Sequence, residues 1–141
     1  MATNKIGRKH TQRPYIIGPL GELTGFVSQT GRETTFPAAS ADNALTANSG
    51  GGQANAVQLN YHITRVTTVG AGGDSVKLPK ALVGMQMVVI NAAASNSMNV
   101  FPSSGEQINA LGNDTAFAVA ANKAAWFICA LNGQWHSVLT A

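Results

Sequence analysis

The chain has 141 residues, one cysteine, a formal net charge of +3 and only 11% charged residues, against about 25% in an average soluble protein. That length suits one domain with a real core. A single Cys129 excludes an intrachain disulfide, and the charge excludes a basic nucleic-acid face. Lys5, Arg8, Lys9 and Arg13 put +4 in the first 13 residues, and the remainder sums to −1. The high isoelectric point therefore describes an arm and not a basic body.

Residues 1–19 read as an extended arm, because cations, two prolines and two glycines disfavour a helix. Tyr15, Ile16 and Ile17 lie between Pro14 and Gly18 and suit a segment docked on the body or on a neighbour. No apolar stretch near the start is long enough for a signal peptide or a membrane span, so the expected place of synthesis is a cytosol, where the protein is kept or assembled into something larger. From residue 20 to 141 the pattern predicts a single domain. It opens with a hairpin: Leu23, Phe26 and Val27, a turn from Ser28 to Gly31, and a return from Glu33 to Phe36. Residues 37–55 are small and polar and predict a long loop, with one helical turn near residues 42–45. The three glycines at 50–52 are followed by no Lys with Ser or Thr, so they read as a flexible turn and not a phosphate loop.

Strands are predicted from Ala56 onward. Val57, Leu59, Tyr61 and Ile63 alternate on one face, and a bulge near Thr64 and Arg65 would explain the change of phase after them. A turn at residues 70–74 precedes a short strand at Val76 and Leu78. Residues 84–91 and 124–131 are apolar on both faces, which predicts burial on both sides. Met98 with Val100, Ile108 with Leu111, and Phe117 with Val119 give shorter strands between them. Asn132 and Gly133 suit a two-residue type I′ hairpin turn, leading to a last strand through Trp135 and Leu139. The sum is an all-β fold: a jelly-roll-like antiparallel β-sandwich of about eight strands with an extended N-terminal arm.

Chemistry is sparse. His10, His62 and His136 have no metal-ligand spacing, so no metal and no cofactor is expected. Glu106 and Asp114 sit in polar turns and make poor acid–base partners. No nucleophile-elbow pattern supports a catalytic triad, and no catalytic residue is assigned. Cys129 lies in an apolar run and reads as a small buried hydrophobe. Trp126, Trp135, Phe101, Phe117 and Tyr61 have the spacing of inward strand residues, so they read as core and not as a sugar-stacking platform.

The run Leu78-Pro-Lys, then Gly84-Met-Gln-Met-Val-Val-Ile-Asn91, Val100-Phe-Pro, Gly105, Ile108-Asn, Phe127 and Asn132-Gly-Gln-Trp135 resembles a segment of tailed-phage virion proteins. The recurring elements are an LP, a GxxVxVxN-like strand, a VFP, a GxxIN and a terminal GxW, over about residues 75–140. With its basic arm, the whole chain resembles a phage head cement (decoration) protein. That resemblance implies a non-enzymatic jelly roll on the capsid exterior, bridging neighbouring major capsid subunits against the pressure of packaged DNA. It implies the major capsid protein and the chain itself, as a dimer or trimer, as partners, with no nucleic acid and no membrane. The capsid-binding residues would be Lys5, Arg8, Lys9, Arg13, Tyr15, Ile16 and Ile17. The alternative is a receptor- or glycan-binding module of a tail fibre or spike, which calls for an exposed aromatic patch.

Overall fold

A computed structural model describes residues 15–17, 23–27, 33–34 and 41–141. The chain divides into two compact units, Met1–Ala39 and Ser40–Ala141. The boundary expected from the sequence was at residue 19, between arm and domain. Among the described residues there are thirteen strands and no helix, so the protein is all-β.

In the first unit, β1 (Tyr15–Ile17), β2 (Leu23–Val27) and β3 (Glu33–Thr34) form a three-stranded antiparallel sheet in that order. The β2–β3 pair is the hairpin expected there, with Phe26 opposite Thr34 and Val27 opposite Glu33. Its turn lies outside the described residues.

The second unit carries ten strands: β4 (Ala41–Thr46), β5 (Val57–Gln58), β6 (Ile63–Thr68), β7 (Ser75–Lys77), β8 (Gln86–Asn91), β9 (Met98–Phe101), β10 (Gln107–Ile108), β11 (Phe117–Val119), β12 (Lys123–Leu131) and β13 (Gln134–Leu139). They form a six-stranded sheet, β10-β13-β12-β8-β6-β4, and a four-stranded sheet, β11-β9-β7-β5. From β4 to β9 the chain alternates between the sheets, so strands two apart become neighbours. They are parallel: β4 with β6, β6 with β8, β5 with β7, and β7 with β9. Ala41 lies opposite Ile63, and Ile63 opposite Val88, which is one coil every two dozen residues or so. This is the stacking of a short β-solenoid. The pattern then reverses. β11 and β12 run antiparallel to β9 and β8, the β12–β13 hairpin follows, and β10 joins β13 in parallel.

The antiparallel jelly-roll order expected from the sequence is therefore not the one formed. Alternation of apolar residues reports which face is buried and says nothing of the direction of the neighbouring strand. A parallel pair needs a long crossover, and here the strand in the opposite sheet supplies it. The same coiling explains three local corrections. The alternating run from Val57 to Ile63 is not one strand, because the chain leaves β5 and enters the other sheet at β6. The expected loop at 37–55 contains β4. The helical turn expected near residues 42–45 is β4 itself, where the Ala44 N–H donates to Asp42 Oδ1 at 3.2 Å.

The core lies between the two sheets. Val57, Val76, Val100 and Phe117 form one inward row of the four-stranded sheet. They pack with Val66, Met87, Val89, Ala125, Phe127 and Trp135 of the other sheet in one cluster. Phe117 and Phe127 meet edge to face across it, with ring centroids 5.8 Å apart and planes at 86°, a favoured aromatic geometry. Polar side chains tie the corners. Asn91, fully buried, donates to Asn96 O and Val119 O, both at 2.9 Å, and accepts from the Ala93 N–H. Asp74 accepts from Gly50 N–H and Ala71 N–H, which fixes two neighbouring corners together. Gly51 is needed at that junction: its φ is +68° and a Cβ would sit 3.0 Å from Gly73 O.

Candidate binding face

The outer face of the six-stranded sheet is where this unit departs from an ordinary soluble surface. Register places Ile63 opposite Val88, Val88 opposite Trp126, and Trp126 opposite Val138. Four apolar side chains thus stand in one row across β6, β8, β12 and β13. Ile63 is 41% exposed, Trp126 44% and Val138 59%. Directly opposed residues in a sheet sit about 5 Å apart at Cβ, so the row is continuous. Ile90 extends it along β8 and Ile128 along β12, each half-buried. Arg65 and His136 are the only titratable side chains at outward positions of these four strands. They lie off the row on opposite sides, beside Ile90 and Ile128. Arg65 Nη1 donates to Asn43 O at 3.4 Å.

A second exposed apolar group lies at the hairpin end of the sheet. Leu82 and Val83, in the loop before β8, and Leu131, at the end of β12, are each at least half exposed. Backbone and side-chain bonds lace these two segments together. Val83 N–H donates to Asn132 Oδ1, Gly84 N–H to Cys129 O, and Gly133 N–H to Ala81 O. The hairpin joins Leu131 to Gln134 through Asn132 and Gly133, as expected. Only Gly133 has positive φ, however, so the turn is not type I′. The Asn132 side chain is held by Val83 instead.

Glu106 is buried and accepts the Ala81 N–H with both carboxylate oxygens, at 3.0 and 2.9 Å. It braces the same loop from inside. Cys129 is buried, as expected. Burial raises its thiol pKa, a backbone hydrogen bond of Leu131 opposes that effect, and the Glu106 charge adds to it. A thiol so placed is a poor nucleophile. Asp114 is fully exposed, and its carboxylate is held below the ordinary range by the Gln53 side-chain amide and then the Gly105 N–H. It therefore pins a turn. Among the described residues, no group of three or more His, Cys, Asp or Glu comes together as metal ligands would.

The residues expected to bind divide in two. Lys5, Arg8, Lys9 and Arg13 lie outside the described residues. Tyr15, Ile16 and Ile17 form β1 and pair with Phe26, Gly25 and Leu23 of β2; the register shifts between Ile16 and Ile17. Their backbone is thus part of the first unit's own sheet. The aromatic residues also divide. Trp135 is fully buried, whereas Trp126 and Tyr61 are 44% and 43% exposed, which corrects the reading of both as core. The signal was in the sequence. β8 and β12 are apolar on both faces, yet the second unit's core lies on one face only.

Neither a scan against protein-family models nor a search of curated proteins finds a match to this chain.

Proposed function

We propose that the protein is a structural protein of a phage virion, a cement for the outer surface of the head that bridges neighbouring major capsid subunits. The observation that carries this reading is the division of charge between the two units. In Met1–Ala39, Lys5, Arg8, Lys9, Arg13 and Arg32 outweigh Glu22 and Glu33, giving +3. In Ser40–Ala141, Arg65, Lys77, Lys80 and Lys123 balance Asp42, Asp74, Glu106 and Asp114, giving zero. A small basic unit joined to a neutral, densely hydrogen-bonded slab suits attachment by the first and bridging by the second. Basic side chains speed and orient docking on an acidic surface. Contact with two subunits at once raises effective affinity by orders of magnitude. The resemblance over residues 75–140 supports the same class. It also carries a jelly-roll expectation that the parallel coils do not follow, so the reading rests on motifs and charge, not on shared topology.

The test is co-sedimentation with capsids lacking the protein. Lys5→Glu, Arg8→Glu, Lys9→Glu and Arg13→Glu together should weaken binding at least about tenfold and flatten its salt dependence. Unchanged capsid affinity would remove the attachment role from the first unit.

A second reading has one observation in its favour. Trp126 is an exposed aromatic on the outer face of a sheet, as a glycan-binding tail-fibre or spike module would require. Its neighbours in the row, Ile63, Val88 and Val138, offer no hydrogen-bonding groups to a sugar, which favours the cement reading. A glycan array with hits that Trp126→Ala removes would reverse that preference.

A further inference from the structure

We propose that Asn132 is a site of spontaneous deamidation, held shut in the folded chain by the loop of residues 81–84 and released when that loop opens. This goes beyond the capsid reading and does not rest on it.

The chemistry needs an asparagine followed by a residue whose backbone nitrogen can reach its side chain. Asn132 is the one asparagine of the chain that a glycine follows, and Gly133 has no side chain to shield its amide or hinder the approach. The reaction begins when the Gly133 amide gives up its proton to solvent base. Its nitrogen bonds to Asn132 Cγ, and the Cγ–Nδ2 bond breaks with loss of ammonia. Water then opens the cyclic imide. Cleavage between the nitrogen and Cγ leaves Asp. Cleavage between the nitrogen and the backbone carbonyl carbon leaves isoaspartate, with the main chain rerouted through Cγ. No oxidant or reductant is consumed.

Asn132 is exposed, so water and base reach it, yet the fold withholds the first step. The nucleophile is occupied, because Gly133 N–H donates to Ala81 O at 3.0 Å. The side chain is tethered, because Asn132 Oδ1 accepts the Val83 N–H at 2.9 Å. That second bond by itself would polarise Cγ, so the Ala81 bond is the one that blocks attack. Gly133 O also accepts the Gln107 N–H at 3.1 Å. Both bonds to Ala81 and Val83 run to a segment with little cover: Leu82 and Val83 are at least half exposed. Glu106 holds that segment from inside, through both of its oxygens on the Ala81 N–H. Short exposed segments open without global unfolding. Each opening frees the Gly133 nitrogen, so the rate of modification follows the open population. The change is then permanent. Isoaspartate lengthens the main chain of a tight turn and takes Gly133 N–H out of register with Ala81 O. Asp adds a charge, beside the exposed Val83 and Leu131, to a unit whose charges sum to zero.

Peptide mass mapping of the purified full chain, aged in warm, mildly alkaline buffer, tests this. The readout is the fraction of each asparagine converted to Asp and isoaspartate. In the wild type, conversion at Asn132 should be at least about tenfold slower in the native chain than in urea, because only the open loop frees the nitrogen. Glu106→Gln leaves one acceptor oxygen where Ala81 N–H had two, and should speed native conversion at Asn132 about threefold or more while leaving the rate in urea unchanged. Asn48, which Ser49 follows at a different corner, should keep its native rate in that variant. Equal rates for Asn132 in the native chain and in urea overturn the proposal, as does faster native conversion at another asparagine. A Glu106→Gln variant with no change at Asn132, or with a rise that Asn48 shares, overturns the role given to the loop.

Discussion

On the four-stranded sheet the outward positions are Gln58, Lys77 and Phe101 in one row and Ser75, Asn99 and Ala118 in the next, of which Ser75 is fully buried and donates to Gly52 O. On the six-stranded sheet Ile63, Val88, Trp126 and Val138 form one outward row, and Ile90 and Ile128 flank it together with the polar Arg65, Gln86 and His136. Both sheets close over the same core, so the inward faces make equal demands. The outward faces do not. One is the mixed surface of a soluble protein. The other is an apolar band, and bands of that kind mark interaction sites. Folding alone would not select a Trp that is 44% exposed. The difference teaches that the second unit has one mixed polar face and one face that carries an exposed apolar row.

The largest effect expected separates the two faces of a single strand. Phe127 points into the core against Phe117, while Trp126 beside it points out. Phe127→Ala should cost about 3–5 kcal/mol. Trp126→Ala should cost less than about 1 kcal/mol. Urea unfolding monitored by circular dichroism measures both; equal losses would break the inside–outside assignment of β12.

An intermediate effect is expected where the sheets are joined. Asn91 on β8 donates to Val119 O on β11, the four-stranded sheet's edge. Asn91→Ala leaves the buried Val119 carbonyl and the half-buried Asn96 carbonyl without that donor, and should cost about 2 kcal/mol. Hydrogen exchange should then rise at β11 before it rises at β6.

The smallest effect concerns Asp114. Its carboxylate lies below the ordinary value of 3.8 because the charged form accepts from Gln53 and Gly105. Stability from this group is therefore present above that value and is lost as pH falls through the lower folded value. The group is fully exposed, so the change is slight. Asp114→Asn should flatten the acid limb of a stability–pH curve below pH 3.8 and leave the neutral plateau nearly unchanged.

Much of the strand content was legible. β8, β9, β11, β12 and β13 lie within a residue or two of where alternation and turn residues put them, because buried faces impose a period of two. Cys129 was legible for the same reason. The topology was not. Two-dozen-residue coils carry no fixed motif here, and the corners use different residues each time: Asp74 at one, Asn91 with Asn96 at the next, Glu106 at a third. β4 was hidden because its residues, ADNALT, are small and polar and gain their order from pairing with β6. The exposed apolar face was half legible. Two-sided apolarity in β8 and β12 was visible, but the sequence could not say which side the chain would leave open.

Hydroxyl-radical footprinting of the full chain, free and with capsids that lack it, tests the proposed bridging role of the second unit most directly. Trp126, Ile63 and Val138, exposed in the free chain, should lose reactivity when capsids are present, while Trp135 stays protected throughout. Equal oxidation of Trp126 with and without capsids would contradict a bridging contact through the six-stranded sheet.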